Sequence, residues 1–413
     1  MPEPQHRGSG IFCCAVGRRA GYAAAPTPGR RAAVARAGDH RRTSIPQVGG
    51  RCGREFASCA TRSTGVQLTE LGTHLASVGT QQWGPGVDRL RVGVVGVGVQ
   101  GQLHARALRD VRQAELVAVA DVSPRNREWA ETHLGVRAVP DVVDLLDQVD
   151  AVSICTPDHL HEDATLAALT AGKRVLLEKP MALSRASCDR IIAGRPDPDA
   201  LMIGHVLRFD PRVRRLREVV RSGELGDIWH VKVWRCTSQA VGEGIWDRTS
   251  VAWFLGIHDA DLLRFVTGRE VEVTGAVGRK VLSPSHDVVH ATVRFDDGAI
   301  GTMENNWTLP HSRPSRADAG LRIVGEHGIL EMNLSHNDLL YAHRGGAASF
   351  MDTYFWPSRD GGGAYNLRSE LEAFADAALT GGPTPVSGEE GRAAVTVVED
   401  IEAALAGDPP PGN

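Results

Sequence analysis

Residues 90–121 read LRVGVVGVGVQGQLHARALRDVRQAELVAVAD, and the order of residue types describes one folding unit. Arg91 to Val95 is a short β-branched run of the kind a buried parallel strand uses. Gly96, Gly98 and Gly101 follow in the spacing GxGxxG, and a helix-like segment begins near Gln102. The three glycines act differently. Gly96 permits a tight turn off the strand, Gly98 lets backbone approach a pyrophosphate, and Gly101 allows the helix to pack closely on the sheet. Unpaired amides at the helix start, around Val99, Gln100 and Gly101, act with the helix dipole to attract phosphates. A second apolar run, Leu116 to Ala120, ends in Asp121, where a carboxylate would hydrogen-bond ribose hydroxyls and repel a 2′-phosphate. Strand, glycines, helix, strand and terminal acid together predict a dinucleotide site with NAD preferred. Arg125 lies close enough to admit NADP.

Composition bounds the remainder. The chain has 413 residues, 42% apolar and 23% charged, which is ordinary for globular protein and sufficient for two or three domains. A net charge of −4 gives no electrostatic footprint for nucleic acid. No apolar run approaches the ~20 residues of a membrane-spanning helix, so no membrane partner is expected. Residues 1–88 hold eleven Arg against five acids, are rich in Gly, Pro, Ser and Thr, and keep no sustained period. That segment is expected to be a disordered extension. Arg18 and Arg19 lack the apolar stretch an export signal needs, and 42 Arg beside four Lys suggest GC-rich coding DNA with a start assigned too far upstream. The body contains only Cys155, Cys188 and Cys236, with no CxxC pair, which fits a reducing cytoplasm and gives no structural metal site.

From Asp121 to Gly204, strand-like runs at Val136–Val139, Asp150–Cys155, Arg174–Leu177 and Leu201–Gly204 alternate with helix-like segments, which implies a doubly wound parallel sheet. Beyond Pro211 the pattern changes to a run of strands: Ile228–Cys236, Glu270–Val277, Val288–Phe295, Ala299–Trp307, Gly320–Val324, Gly328–Asn333 and Asp338–Tyr341. Two amphipathic helices, Asn366–Leu379 and Gly388–Leu405, close the chain. The expected fold class is therefore α/β, with a nucleotide-binding domain over 89–207 and a second α+β domain over 208–408 that carries a mostly antiparallel sheet.

Two further motifs sit where parallel strands end, the edge at which such sheets bind ligands. TPDHLH (Thr156–His161) follows one strand, and EKP (Glu178–Pro180) follows the next. These place Thr156, Pro157, Glu178 and Lys179 at the cofactor crevice. A partly desolvated lysine can hold a hydroxyl and shift its pKa towards proton transfer. His159 and His161 form an H-x-H pair with no third ligand nearby, so no metal is assigned.

GVGVQG, TPDHLH and EKP, in this order, resemble the glucose-fructose oxidoreductase, inositol dehydrogenase and rhizopine-catabolism (Gfo/Idh/MocA) family. The resemblance extends through GHVLRFDP (Gly204–Pro211), HDADLLRFVTG (His258–Gly268) and VGEHGILEM (Val324–Met332). It implies an N-terminal Rossmann domain and a C-terminal domain whose open sheet joins a homodimer or homotetramer. It also implies reversible hydride transfer at a sugar, polyol or cyclitol hydroxyl. It assigns catalysis and substrate contact to Lys179, an assisting role to His258, and a place beside the nicotinamide or substrate to His161. An aspartate commonly stands four residues before that histidine, and Phe254 occupies the position here, so that His258 works alone or borrows Asp259, Asp261 or Asp247. Arg208 and Trp246 are further substrate-binding candidates. Trp229 and Trp234 are expected to pack. A glycosidase that uses tightly held NAD, or a dinucleotide-sensing regulator, are the alternative readings.

Overall fold

The computed structural model describes residues 89–313, 317–334, 340–341, 349–350 and 365–407, so the expected extension at 1–88 lies outside the described residues. The opening apolar run becomes β1 (Leu90–Val95), with Arg91 alone exposed. There follow α1 (Val99–Leu108), β2 (Ala114–Ala120), α2 (Pro124–Leu134), β3 (Arg137–Val139), α3 (Val143–Leu146), β4 (Ala151–Ile154), α4 (His161–Thr170), β5 (Arg174–Glu178), α5 (Arg185–Gly194) and β6 (Leu201–Gly204). Every pairing among these strands is parallel, in the order β3-β2-β1-β4-β5-β6. The order reverses between β1 and β4, which opens a crevice at their carboxyl ends. α1 starts at Val99, earlier than the apolar period suggested. Gly98, extended at φ −72°, serves as N-cap, and the first turn faces outward with Val99 84% exposed.

After a 3₁₀ turn at Val206–Phe209 come α6 (Pro211–Arg221), β7 (Ile228–Ser238), α7 (Gln239–Glu243), a π-helical turn (Ala252–Gly256), α8 (Ile257–Thr267), β8 (Val271–Arg279), β9 (Val288–Phe295), β10 (Ile300–Leu309), β11 (Ala317–Gly325) and β12 (Gly328–Asn333). The strands form a second sheet in the order β12-β11-β7-β10-β9-β8, antiparallel except for β7 with β10. Of the strand expected at 338–341, the described residues Leu340–Tyr341 pair with Ser349–Phe350, and the rest lies outside the described residues. One face of the large sheet buries Val231, Val233, Val293, Leu321 and Ile323 beneath α8 and the terminal helix. On its other face Ile300 pairs with His230 and Ile329 with Val324, and both isoleucines remain more than half exposed.

The final helices, α9 (Tyr365–Thr380) and α10 (Gly388–Ala406), return to the first sheet. α9 packs on α1, and α10 packs on α5 and β6. Gly391 makes that approach possible, because a Cβ there would stand 2.7 Å from Ile203. α10 opens with a reciprocal cap between Ser387 and Glu390, a device worth about 1 kcal/mol. No helix among the described residues is long and apolar enough to cross a membrane.

Candidate active site

The three glycines of the first turn occupy distinct surroundings. Gly96 takes φ +84°, and a Cβ on it would lie 2.8 Å from the Cys155 carbonyl. A Cβ on Gly101 would lie 1.8 Å from the Gly96 carbonyl, so the helix is seated against the turn itself, with Val94 beneath. Gly98 faces open space, with nothing within 4 Å of its Cβ position, and no side chain caps the helix amides behind it. An uncapped helix N-terminus beside an open glycine is the cradle a pyrophosphate requires. Asp121, at the end of β2, accepts from the Val97 amide at 2.6 Å, the Ser123 amide at 2.8 Å and Asn126 Nδ2 at 3.1 Å. These bonds hold the carboxylate beside the glycine turn, where an adenosine ribose would meet it.

The motifs after β4 and β5 are fastened to each other. His161 is buried, with Nδ1 at 2.7 Å from the Pro180 carbonyl and Nε2 at 3.0 Å from the Thr156 carbonyl. Either carbonyl can accept from the ring, so His161 links the TPDH turn to the EKP turn beside the crevice. Thr156 Oγ1 is buried without a partner, while Pro157 and His159 are exposed. The Lys179–Pro180 bond is cis.

Glu178 and Lys179 point different ways. Glu178 is buried and turned inward: its Oε1 meets His104 Nε2 at 2.8 Å and accepts from Gln100 Nε2 at 3.0 Å, and its Oε2 accepts from the Lys179 amide at 3.1 Å. The side chains of Glu178 and Gln100, expected among the cofactor contacts, therefore serve an interior cluster because their charge and amide are satisfied there. Glu370 of α9 completes it, fully buried with neither carboxylate oxygen hydrogen-bonded, and the three ligand-type atoms of His104, Glu178 and Glu370 lie within 4.8 Å of one another. Burial pushes the Glu370 carboxyl well above the ordinary range, and the Glu178 charge adds to the rise. Burial also opposes ionisation of Glu178, but the bond and charge of His104 carry it below its ordinary value.

Lys179 is half-buried, with Nζ 5.1 Å from the centroid of the Phe254 ring. Burial lowers its pKa, the Arg235 charge acts in the same sense, and Glu178 and Asp158 oppose. Phe254 belongs to the π-helical turn that runs directly into α8, so the residue in the usual aspartate position supports the lysine with an aromatic face. His258, in the first turn of α8, is buried, and its Nδ1 has no hydrogen-bond partner. Burial holds its pKa well below the ordinary histidine value, helped by the charges of Lys179, Arg235 and His205. None of the three aspartates expected to support it does so. Asp259 is committed to Arg235 at 2.9 Å and Asn305 at 2.7 Å, Asp261 to Arg208, and Asp247 is exposed.

Arg208 itself is only 4% exposed, held by Asp261 at 2.6 Å and Glu390 at 2.5 Å. Its guanidinium, expected among the substrate contacts, is engaged by these two carboxylates. Trp246 is half-buried and packs on the core. Trp234 packs as expected, over Gly320 and with its Nε1 donating to Asp318, whereas Trp229 is 56% exposed. Sequence reasoning missed His205, at the end of β6, whose two ring nitrogens are buried without partners and whose nearest carboxylate oxygen, on Asp261, is 3.7 Å away. The only signal was its place in GHVLRFDP at a strand's carboxyl end. His104 and Glu370 were missed as well.

Comparison with known proteins agrees with this architecture. Residues 90–196 match the profile of an oxidoreductase family with an NAD-binding Rossmann fold, and residues 213–331 match the GFO/IDH/MocA C-terminal domain. A myo-inositol 2-dehydrogenase of Thermotoga maritima is 32% identical over 322 residues, 74% of this chain and 93% of that protein. A UDP-N-acetylglucosamine 3-dehydrogenase of Acidithiobacillus ferrooxidans is 27% identical, covering 76% of this chain and 97% of its own. The crystal structure of scyllo-inositol dehydrogenase from Lactobacillus casei with NAD(H) and scyllo-inositol superposes with a TM-score of 0.66 at 23% identity, over 78% of this chain and 98% of that one. The profiles fall on the two sheets in order, and the curated relative spans both: the chain belongs to the Gfo/Idh/MocA oxidoreductase family.

Proposed function

We propose that this protein oxidises a secondary hydroxyl of a cyclitol, with sugars and other polyols as the next class, and that Lys179 is the residue that takes the proton. The observation that carries the reading is the cluster at the carboxyl edge of the first sheet. A desolvated lysine on an aromatic ring stands among two buried histidines with unpartnered nitrogens, His205 and His258. The sequence relation to inositol 2-dehydrogenases supports the substrate class.

NAD, when bound, supplies the hydride acceptor. Gly96, Gly98 and the amides of Val99, Gln100 and Gly101 would hold its pyrophosphate, Asp121 its ribose, and Thr156 and Pro157 would line the crevice beyond. Lys179 in its neutral form accepts the proton of the reacting hydroxyl, and its lowered pKa enlarges the neutral fraction. His258 stays an uncharged imidazole, because burial above all, and the fixed charge of Arg235, oppose its protonation. It therefore orients a second hydroxyl through Nδ1. The glycosidase and sensor readings need chemistry that this cluster does not favour. The domains are taken as 89–207 and 208–408, the compartment as the cytoplasm, and the oligomer as a homodimer or homotetramer through the open sheet face.

The test is production of NADH from NAD with myo-inositol, scyllo-inositol and a panel of aldoses. Lys179→Ala should lower kcat by about 10² to 10⁴ and leave NAD affinity nearly unchanged. Absence of NADH from every polyol in the wild type, or a Lys179→Ala enzyme of near-normal turnover, would overturn the proposal.

A further inference from the structure

α6 carries five arginines, at positions 212, 214, 215, 217 and 221, against the single acid Glu218. Arg212 is paired with Asp210, and Arg215 with Glu218. The other three line, together with Arg208 and Phe265, a cavity of about 350 Å³ that includes none of Lys179, His205 or His258. Glu218 borders the same cavity, with its carboxylate engaged by Arg215. Arg208 is neutralised by Asp261 and Glu390. Among the described residues, no carboxylate lies within ion-pairing distance of Arg214, Arg217 or Arg221.

Arg217 is the most constrained of the three. Its guanidinium carbon stands 4.2 Å from the Phe265 ring centroid, and its Nε is buried with no hydrogen-bond partner. Burial, followed by the charges of Arg221 and Arg208, pushes it below the ordinary arginine range. Arg214 is aimed by its Nε, which donates to the Arg208 carbonyl at 3.0 Å. Three cations gathered at a concave site without paired counter-charge repel one another, and an entering oxyanion relieves that repulsion while meeting donors in forked geometry.

We propose that this cavity is a second ligand site, which takes a small metabolite through a phosphate or carboxylate group held by Arg214, Arg217 and Arg221. The site goes beyond the dehydrogenase reaction, whose neutral polyol has no use for three cations. Isothermal titration of the full chain with inorganic phosphate, with an inositol monophosphate and with succinate decides the matter. The titrations are made at constant ionic strength, with NAD in excess so that the glycine-turn amides are occupied. Saturable binding of at least one probe is expected, and the tightest of the three identifies the anion class. Its Kd should weaken about tenfold or more in both Arg217→Met and Arg221→Gln, and remain unchanged in Arg322→Met, which alters an arginine of β11 outside the cavity. Arg221 is exposed, so Arg221→Gln tests the site even where Arg217→Met fails to fold. No saturable binding of any probe, or binding that survives the cavity replacements, would overturn it.

Discussion

Phe254 occupies the position from which a carboxylate would otherwise support His258, and its ring lies under Lys179 instead. By the family resemblance alone, Phe254→Asp would give that histidine a carboxylate partner. The geometry points to a different consequence, since the new carboxylate would face the lysine and favour its charged form. In that variant the pH at which kcat/KM reaches half its plateau should move upward by about one unit or more, because the neutral amine appears only at higher pH. An unmoved profile would show that Lys179 is not the group that titrates. The interior cluster yields a second expectation. Glu370 faces His104 of α1 and Glu178 of β5 and senses the charge of Asp261 on α8, and its carboxyl is raised by burial and then by Glu178. A carboxyl protonated when folded and ionised when unfolded makes the native state bind more protons. Stability therefore falls as pH rises from about 4.3, the unfolded value, towards the raised folded one. Glu370→Gln keeps the shape and removes that loss, so denaturation at pH 8 should show a gain of about 1 kcal/mol and a flatter pH slope. A destabilised Glu370→Gln would mean that the ionised form is the native one. Lys179 was legible because its motif is local. Glu370 was not, because its neighbours come from strands and helices far earlier in the chain, and nothing in the amphipathic pattern of α9 distinguishes an inward glutamate from a solvated one.

At the level of elements, the glycine turn shows how much of the nucleotide site periodicity can carry. Strand, turn and helix were readable from β-branching, GxGxxG and helical spacing, and all six strands of the first sheet were placed to within a residue or two. The start of α1 was not readable, since its first turn carries no apolar period. The π-helical turn before α8 also left no mark, because one extra residue per turn has no composition of its own. Gly98 and Gly101, to which the motif gives different roles, also stand in different surroundings. Gly98→Ala meets open space at a φ of −72° that alanine adopts freely, so the protein should fold with an unchanged Tm while its NAD affinity drops about tenfold or more. Gly101→Ala forces a methyl to 1.8 Å from the Gly96 carbonyl, so it should lower stability by about 2 kcal/mol or more as the turn shifts. Thermal melts and NAD titrations of the two variants check the division. Equal Tm losses in both would contradict it.

Across the whole molecule, the described residues cover the large sheet on one face only. α8 and α10 bury the row that contains Val231, Val233 and Ile323, whereas the opposite row runs Ile329, Val324, His230 and Ile300 across four paired strands, with its terminal isoleucines 57% and 58% exposed. Two large β-branched side chains held outward on a sheet are costly in water and well suited to a self-complementary contact, because a twofold axis through the sheet brings each such row against its own copy. The antiparallel strands of the second domain were readable as a group, but the side left uncovered depends on where α10 returns, and α10 is shared with α5 and β6 of the first sheet. The proposed homo-oligomer rests on this face. Ile300→Arg combined with Ile329→Arg places like charges on both sides of any such contact, where desolvating them is unfavourable. Light scattering after size exclusion should find the wild type as a dimer or tetramer and the double variant as a monomer with its NAD affinity intact. A monomeric wild type, or a double variant that keeps its assembly, would show that the open face is not the interface.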